Sequence, residues 1–259
     1  MFRNAMPRVY ELRDLIESPS APDAYFQNFD QSICEEPSKK QAWLAWENKL
    51  QKLDLVSWHF LKTEAGPYLN KRETNGRGWE QLFSILNQAH AYNYLVDQGC
   101  ASVHFIPRAD AQGQKTPDLY GVCDGRRVLC EVKTIHISKD EATCRQTQQG
   151  RSISNGLNAG FLKKFHDDLH KANDQIESYD GAADVKRIAF FVINFDDAFA
   201  EYKTEYFAQL DQYLAAHPIS GIDIVFYNQW TACHCAIAME HAVVVNEGYL
   251  RIAELANLV

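Results

Sequence analysis

An Asp-Gly pair at positions 124 and 125, set between two runs rich in β-formers, constrains this chain more than any other feature. Asp-Gly suits a two-residue hairpin turn, whose tightest form needs φ > 0 at both positions. A loop of only those residues pairs Cys123 with Arg126, and counting back sets Asp118 opposite Glu131. Opposed side chains share a face, with Cβ atoms about 4.5–5.5 Å apart. Strand side chains alternate, so Lys133 joins Glu131 on that face.

Such a face is costly. Like charges directly opposite each other destabilise a strand pair. The second run is also apolar on both sides: Leu129, Ile135 and Ile137 share parity with Glu131, while Val128, Cys130 and Val132 take the other. It reads as a central strand covered on both faces. An acid and an amine inside it are destabilising unless they are paired or bind an ion. Two carboxylates and an ammonium converging there predict a divalent cation, Mg²⁺ or Mn²⁺, on hard oxygen ligands.

Pro117-Asp118, the hairpin, and then Glu131-Val132-Lys133 resemble the PD-(D/E)xK motif of the restriction-endonuclease-like nuclease superfamily. The resemblance covers roughly residues 73 to 230. It implies an α/β fold with a mixed central sheet flanked by helices in the order αβββαβ. It also implies a metal held by Asp118, Glu131 and the backbone carbonyl of Val132, with Lys133 as a catalytic amine. That superfamily carries a further acid on a helix before the first core strand. Gly76-Arg77-Gly78-Trp79-Glu80 opens such a helix, which makes Glu80 the matching catalytic position. Glu80 lies off the apolar stripe of its helix, and the helix macrodipole alone also accounts for a first-turn Glu. The implied activity is metal-dependent hydrolysis of nucleic-acid phosphodiesters, a DNA endonuclease above all, leaving a 5′-phosphate.

Charge bears on the substrate. The chain carries a net charge of −8 over 259 residues, which argues against a broadly sticky nucleic-acid binder. Residues 126 to 164, however, hold eight Lys/Arg against three acids. A local basic zone beside a carboxylate site suits a phosphodiester. Arg145, Gln146, Gln148 and Arg151 have the chemistry for phosphates and base edges, and Lys163 and Lys164 extend the zone. The plain alternative is solvated surface charge. A double-strand cut by a one-site protein calls for two copies, so a homodimer is a partner to test for.

Elsewhere the pattern is that of an α/β protein. Residues 1 to 72 read as a helical accessory region, and 73 to 259 as the nuclease-like domain, with breakers at Thr74 to Gly78 between them. After Pro37, Ser38 and Gln41 form a capping box, and Trp43, Trp46, Leu50, Leu53 and Phe60 recur at helical spacing as packing residues. A helix to about Gln98, with Gly99 just past its end, carries Leu82, Ile85, Leu86, Ala89 and Val96 inward. Strands are expected at 101–107, 187–195 and 222–227, with an edge strand near 242–246 before a short final helix. Helices are expected at 201–216 and along the stripe Phe161, Phe165, Leu169, Ala172, Ile176, Tyr179. The stretch after Ile137 is almost devoid of apolar residues and reads as a long loop beside the site.

Seven cysteines without framework spacing predict free thiols in a reducing cytoplasm. No run is long enough for a membrane span, and the N-terminus lacks an apolar signal core. Cys233-His234-Cys235 has ligand chemistry but no second cluster to complete a zinc site. Walker-A, dinucleotide and nucleophile-elbow patterns are absent. Two other classes compete with the nuclease. One is a catalytically inactive protein of the same fold that binds nucleic acid or a protein partner. The other is a structural ion pair in a protein of unrelated function.

Overall fold

A computed structural model describes residues 2–16, 24–70, 79–108, 115–147, 154–196, 202–228 and 248–251. It divides into two compact units. The first comprises Met1–Asn93, Ser138–Gly150 and Trp230–Val245; the second comprises Tyr94–Ile137, Arg151–Gln229 and Asn246–Val259. Gln148, Arg151, the Cys233-His234-Cys235 triplet, the expected 242–246 strand and the final helix lie outside the described residues.

The described part of the first unit is helical: α1 (Pro7–Arg13), α2 (Phe29–Glu35), α3 (Pro37–Gln51), α4 (Leu55–Ala65), α5 (Glu80–Leu86) and the start of α6 (Gln88–Asp97). Trp43, Trp46, Leu50 and Leu53 are buried, as their spacing predicts. Two helix ends are satisfied by one another's side chains. The buried Glu47 of α3 accepts the N–H of Arg8 at 3.2 Å and of Val9 at 2.9 Å, at the positive end of α1. In return the Arg8 guanidinium donates to the carbonyls of Leu50 and Leu53, where α3 ends. Ser38 does not cap α3. Pro37 occupies the first helical position, where its missing N–H costs nothing, so the helix starts two residues early, with Glu36 as its N-cap.

Two other expectations change here. The helix reaching to Gln98 is two helices, broken at Asn87. Leu82, Ile85, Leu86 and Ala89 are buried, but Val96, near the end of the second helix and past its covered residues, is 40 % exposed. The polar stretch after Ile137 is no simple loop: Lys139–Thr147 forms α7. Ser138 Oγ accepts the Glu141 N–H at 3.1 Å, the cap that a Ser-x-x-Glu sequence favours.

The second unit holds a six-stranded mixed sheet in the order β1-β2-β3-β4-β5-β6. The strands are β1 (Ala101–Phe105), β2 (Leu119–Cys123), β3 (Arg126–Ile135), β4 (Lys186–Ile193), β5 (Asp223–Asn228) and β6 (Gly248–Arg251). β3, β4 and β5 run parallel, and the other neighbours pair antiparallel. The hairpin has the two-residue turn its sequence demands: Asp124 and Gly125 sit at φ 50° and 74°. Cys123 faces Arg126 and Leu119 faces Cys130, so the register is the expected one.

A long helix, α8 (Ala159–Tyr179), covers the face of the sheet that carries Leu129. Its Ile176 packs with Leu129, Ile106 and Val185. The Asn158 side chain caps it, accepting the Phe161 N–H at 2.8 Å. Phe165, Leu169, Ala172 and Ile176 are buried, whereas Tyr179, at the frayed end of the stripe, is 43 % exposed. On the same face α9 (Lys203–Ala216) sets Phe207 against Phe226, with ring centroids 5.6 Å apart. Tyr94, in the last turns of α6, meets Phe190 of β4 on the opposite face at 5.7 Å. β3 is thus the covered central strand that its apolar pattern predicts.

One cysteine expectation is overturned. Ala101 faces Val122, which leaves Cys100 beside Cys123, and the two form a disulfide. The bond joins residues 23 apart in sequence. A spacing read along the chain says nothing of neighbours across a sheet. Cys34, Cys130 and Cys144 are free among the described residues. Cysteine usage therefore no longer argues for a reducing compartment.

Candidate functional site

The hairpin builds the site. Ile106 N–H donates to the Asp118 carbonyl at 2.9 Å, so the Asp118 main chain is turned toward β1. In an antiparallel pair this makes Asp118 and Glu131 the closer, non-hydrogen-bonded kind of facing residues. Their carboxyl groups are near enough to hydrogen-bond one another. β2 starts only at Leu119, so Val132 of β3 has no strand partner on that edge. The Asp118 side chain fills the gap: its Oδ2 accepts the Val132 N–H at 2.8 Å. A strand residue's N–H and C=O point to the same edge, which turns the Val132 carbonyl toward Asp118 as well.

Glu131 is 5 % exposed. Its Oε1 accepts Lys133 Nζ at 2.7 Å, and its Oε2 accepts Gln175 Nε2 at 2.8 Å. The same amide of Gln175, on α8, donates to the Thr116 carbonyl at 2.5 Å, which ties the helix to the segment leading into Asp118. Gln175 is the residue missing from the sequence reading. The only signal for it was a polar residue beside the buried Ile176, and that pattern also describes many solvated helix positions.

The electrostatics follow from burial. Desolvation pushes the Glu131 carboxyl above its usual range, the neighbouring Asp118 pushes further, and the Lys133 ammonium opposes both. Asp118 is also raised, by burial first, against the pull of the Val132 N–H and Lys133. Two buried acids facing a single lysine leave the site short of positive charge. That shortage, and a set of donors that are all oxygens, fit a hard divalent cation. Among the described residues no three of His, Cys, Asp and Glu gather as a ligand set.

No family model, curated protein or solved structure matches this chain. The site must be read from its own geometry.

The other expected residues fall as follows. Glu80 is the first residue of α5, in the first unit, and is half-buried. Arg145 and Gln146 lie on α7, also in the first unit, rather than on an extended loop. Lys163 and Lys164 stand on the exposed side of α8, each in an ion pair one turn on, with Asp167 and Asp168, at 2.6 Å. Arg127 is paired with Asp180 and Asp184. Acids from outside residues 126 to 164 thus offset part of the basic zone. No helix among the described residues is long and apolar enough to cross a membrane.

Proposed function

We propose that this protein is a metal-dependent nuclease that hydrolyses nucleic-acid phosphodiester bonds, with DNA as the substrate and Mg²⁺ or Mn²⁺ as the cofactor. One observation carries the reading: Asp118, Glu131 and Lys133 converge on one buried face of the hairpin, in contact with one another.

Asp118 and Glu131 would hold the cation through carboxylate oxygens, and the Val132 carbonyl is turned to the same edge. The chemistry that such a cation supplies is polarisation of a phosphate oxygen and acidification of a water molecule. Val132 N–H fixes the Asp118 carboxylate, and Gln175 fixes that of Glu131, so neither ligand must reorganise when substrate arrives. The Lys133 ammonium, close to the acids, offsets negative charge growing on the phosphate and orients the attacking water. It donates a hydrogen bond rather than accepting a proton. By the family resemblance Glu80 is the further acid of the motif.

The experiment is incubation of plasmid, single-stranded DNA and structured RNA with Mg²⁺, with Mn²⁺ and with chelator. Cleavage of DNA that needs the metal and is lost in Asp118→Ala and Lys133→Met, with folding intact, is the expected result. Cleavage that survives both substitutions defeats the proposal. A second reading rests on the hydrogen bonds that Lys133 and Gln175 make to the two Glu131 oxygens. On that reading the group is a structural ion pair. It requires that calorimetric titration with Mn²⁺ give no heat that Asp118→Ala removes.

A further inference from the structure

Arg108 stands beyond the end of β1 and takes no part in the account above. The β1–β2 register places His104 opposite Tyr120 and Phe105 opposite Leu119. The bond from Ile106 N–H to the Asp118 carbonyl carries that alignment one residue further. Ile106, Asp118 and Glu131 therefore make one row across β1, β2 and β3. The row lies on the face covered by α8, because Ile106 packs with Leu129 and Ile176. Beyond that row neither β1 nor β2 continues as strand; Arg108 comes two residues after Ile106, and Lys133 two after Glu131. Thr116 is held from two sides: Gln175 donates to its carbonyl, and its hydroxyl donates to the Pro107 carbonyl at 3.4 Å.

The row of two acids is thus followed, two residues on along β3 and along the segment after β1, by a cation. Lys133 is largely buried, its side chain 18 % exposed, whereas Arg108 is exposed to solvent. Burial raises the Asp118 carboxyl, and among the groups acting against this, after the Val132 N–H and Lys133, is the Arg108 guanidinium. Arg108 therefore lies near the acids and is open to solvent. A guanidinium presents a planar fork of donors that matches two phosphate oxygens, which an ammonium does not.

We propose that Arg108 is a substrate-positioning residue that grips the phosphodiester being cut, so that the phosphate is held between the Arg108 guanidinium outside and Lys133 within. This rests on the nuclease reading and deepens it: the ligand between these two cations is a backbone phosphate, recognised without regard to base.

The test compares wild type, Arg108→Met, Arg108→Lys and, as a surface control at the far end of the hairpin, Arg126→Met. Each is assayed for cleavage of a labelled duplex oligonucleotide with Mg²⁺ over a range of NaCl. Each is also assayed for binding to the same duplex in Ca²⁺ by fluorescence anisotropy. Arg108→Met is expected to lower kcat/KM by roughly tenfold to a hundredfold, as loss of one charge-assisted donor does, with an unchanged melting temperature. Its binding should weaken evenly across sequences, and the slope of log affinity against log salt should shrink by about one contact. Arg108→Lys should recover part of the loss. A purely structural Arg108 would move the melting temperature and leave the salt slope alone. If wild type cuts and Arg108→Met matches Arg126→Met in rate and slope, the Arg108 assignment fails while the nuclease reading stands. If wild type cuts nothing under any metal, both fall.

Discussion

Asp118 shows most directly how stability and chemistry oppose each other in this protein. Its carboxylate stands against that of Glu131 in a setting that desolvates both, and the pair is held together by the Val132 N–H, Lys133 and Gln175. Replacing Asp118 with Asn keeps an acceptor for the Val132 N–H and removes the like-charge contact. Near neutral pH without metal, Asp118→Asn should therefore be more stable than wild type by about 1 kcal/mol, while its cleavage is abolished. Thermal unfolding in chelator, set beside a cleavage assay, checks both halves; a destabilised Asn variant contradicts the crowding argument. These residues were legible in the sequence because hairpin parity is local: the turn fixes which of them share a face. Gln175 was not legible, since it meets Glu131 across 44 positions and only tertiary packing brings α8 there. Cys100 and Cys123 escaped notice for the same reason.

At the scale of elements, the sequence reading succeeded where one strong periodic signal acted alone and failed where a weaker local signal competed. β3 and α8 have unambiguous patterns and appear where expected. α7 was hidden because it has few apolar residues, although Ser138 and Glu141 mark its start by capping chemistry. Val96 was misplaced because burial in α6 stops at Leu95, a boundary that a helical wheel does not contain. The α1–α3 pair offers an elementary test of helix-end satisfaction. Glu47 takes two main-chain N–H groups of α1 and is 3 % exposed, so its removal strands both donors away from water. Glu47→Ala should destabilise by about 2–4 kcal/mol. Glu47→Gln, which keeps one acceptor, should lose less. Urea denaturation of the three proteins measures the order, and an Ala variant as stable as wild type refutes the capping account.

For the whole molecule the decisive quantity is charge. A net charge of −8 repels a polyanion, and Lys163, Lys164 and Arg127 are engaged with acids of the same chain. These three cations of the basic zone are offset by acids, which weakens their pull on nucleic acid at a distance. Binding to a DNA duplex in chelator should be weak, and Ca²⁺ or Mg²⁺ should strengthen it by about tenfold or more, since the cation completes the charge of the site. Anisotropy titrations with and without divalent ion decide this, and tight binding in chelator would contradict it.

The Asp124–Gly125 turn has a consequence for how this chain can vary. Because the loop is two residues long, both strands leave it in a single phase, and that phase alone sets Asp118 against Glu131. One added residue there would invert the inward and outward sets of β2 or force a bulge to absorb it. Surface loops generally tolerate insertion, but this one can lengthen by an odd number only with a bulge that keeps the two acids opposed. Its shortness constrains the pairing of Asp118 with Glu131 from a distance of several residues.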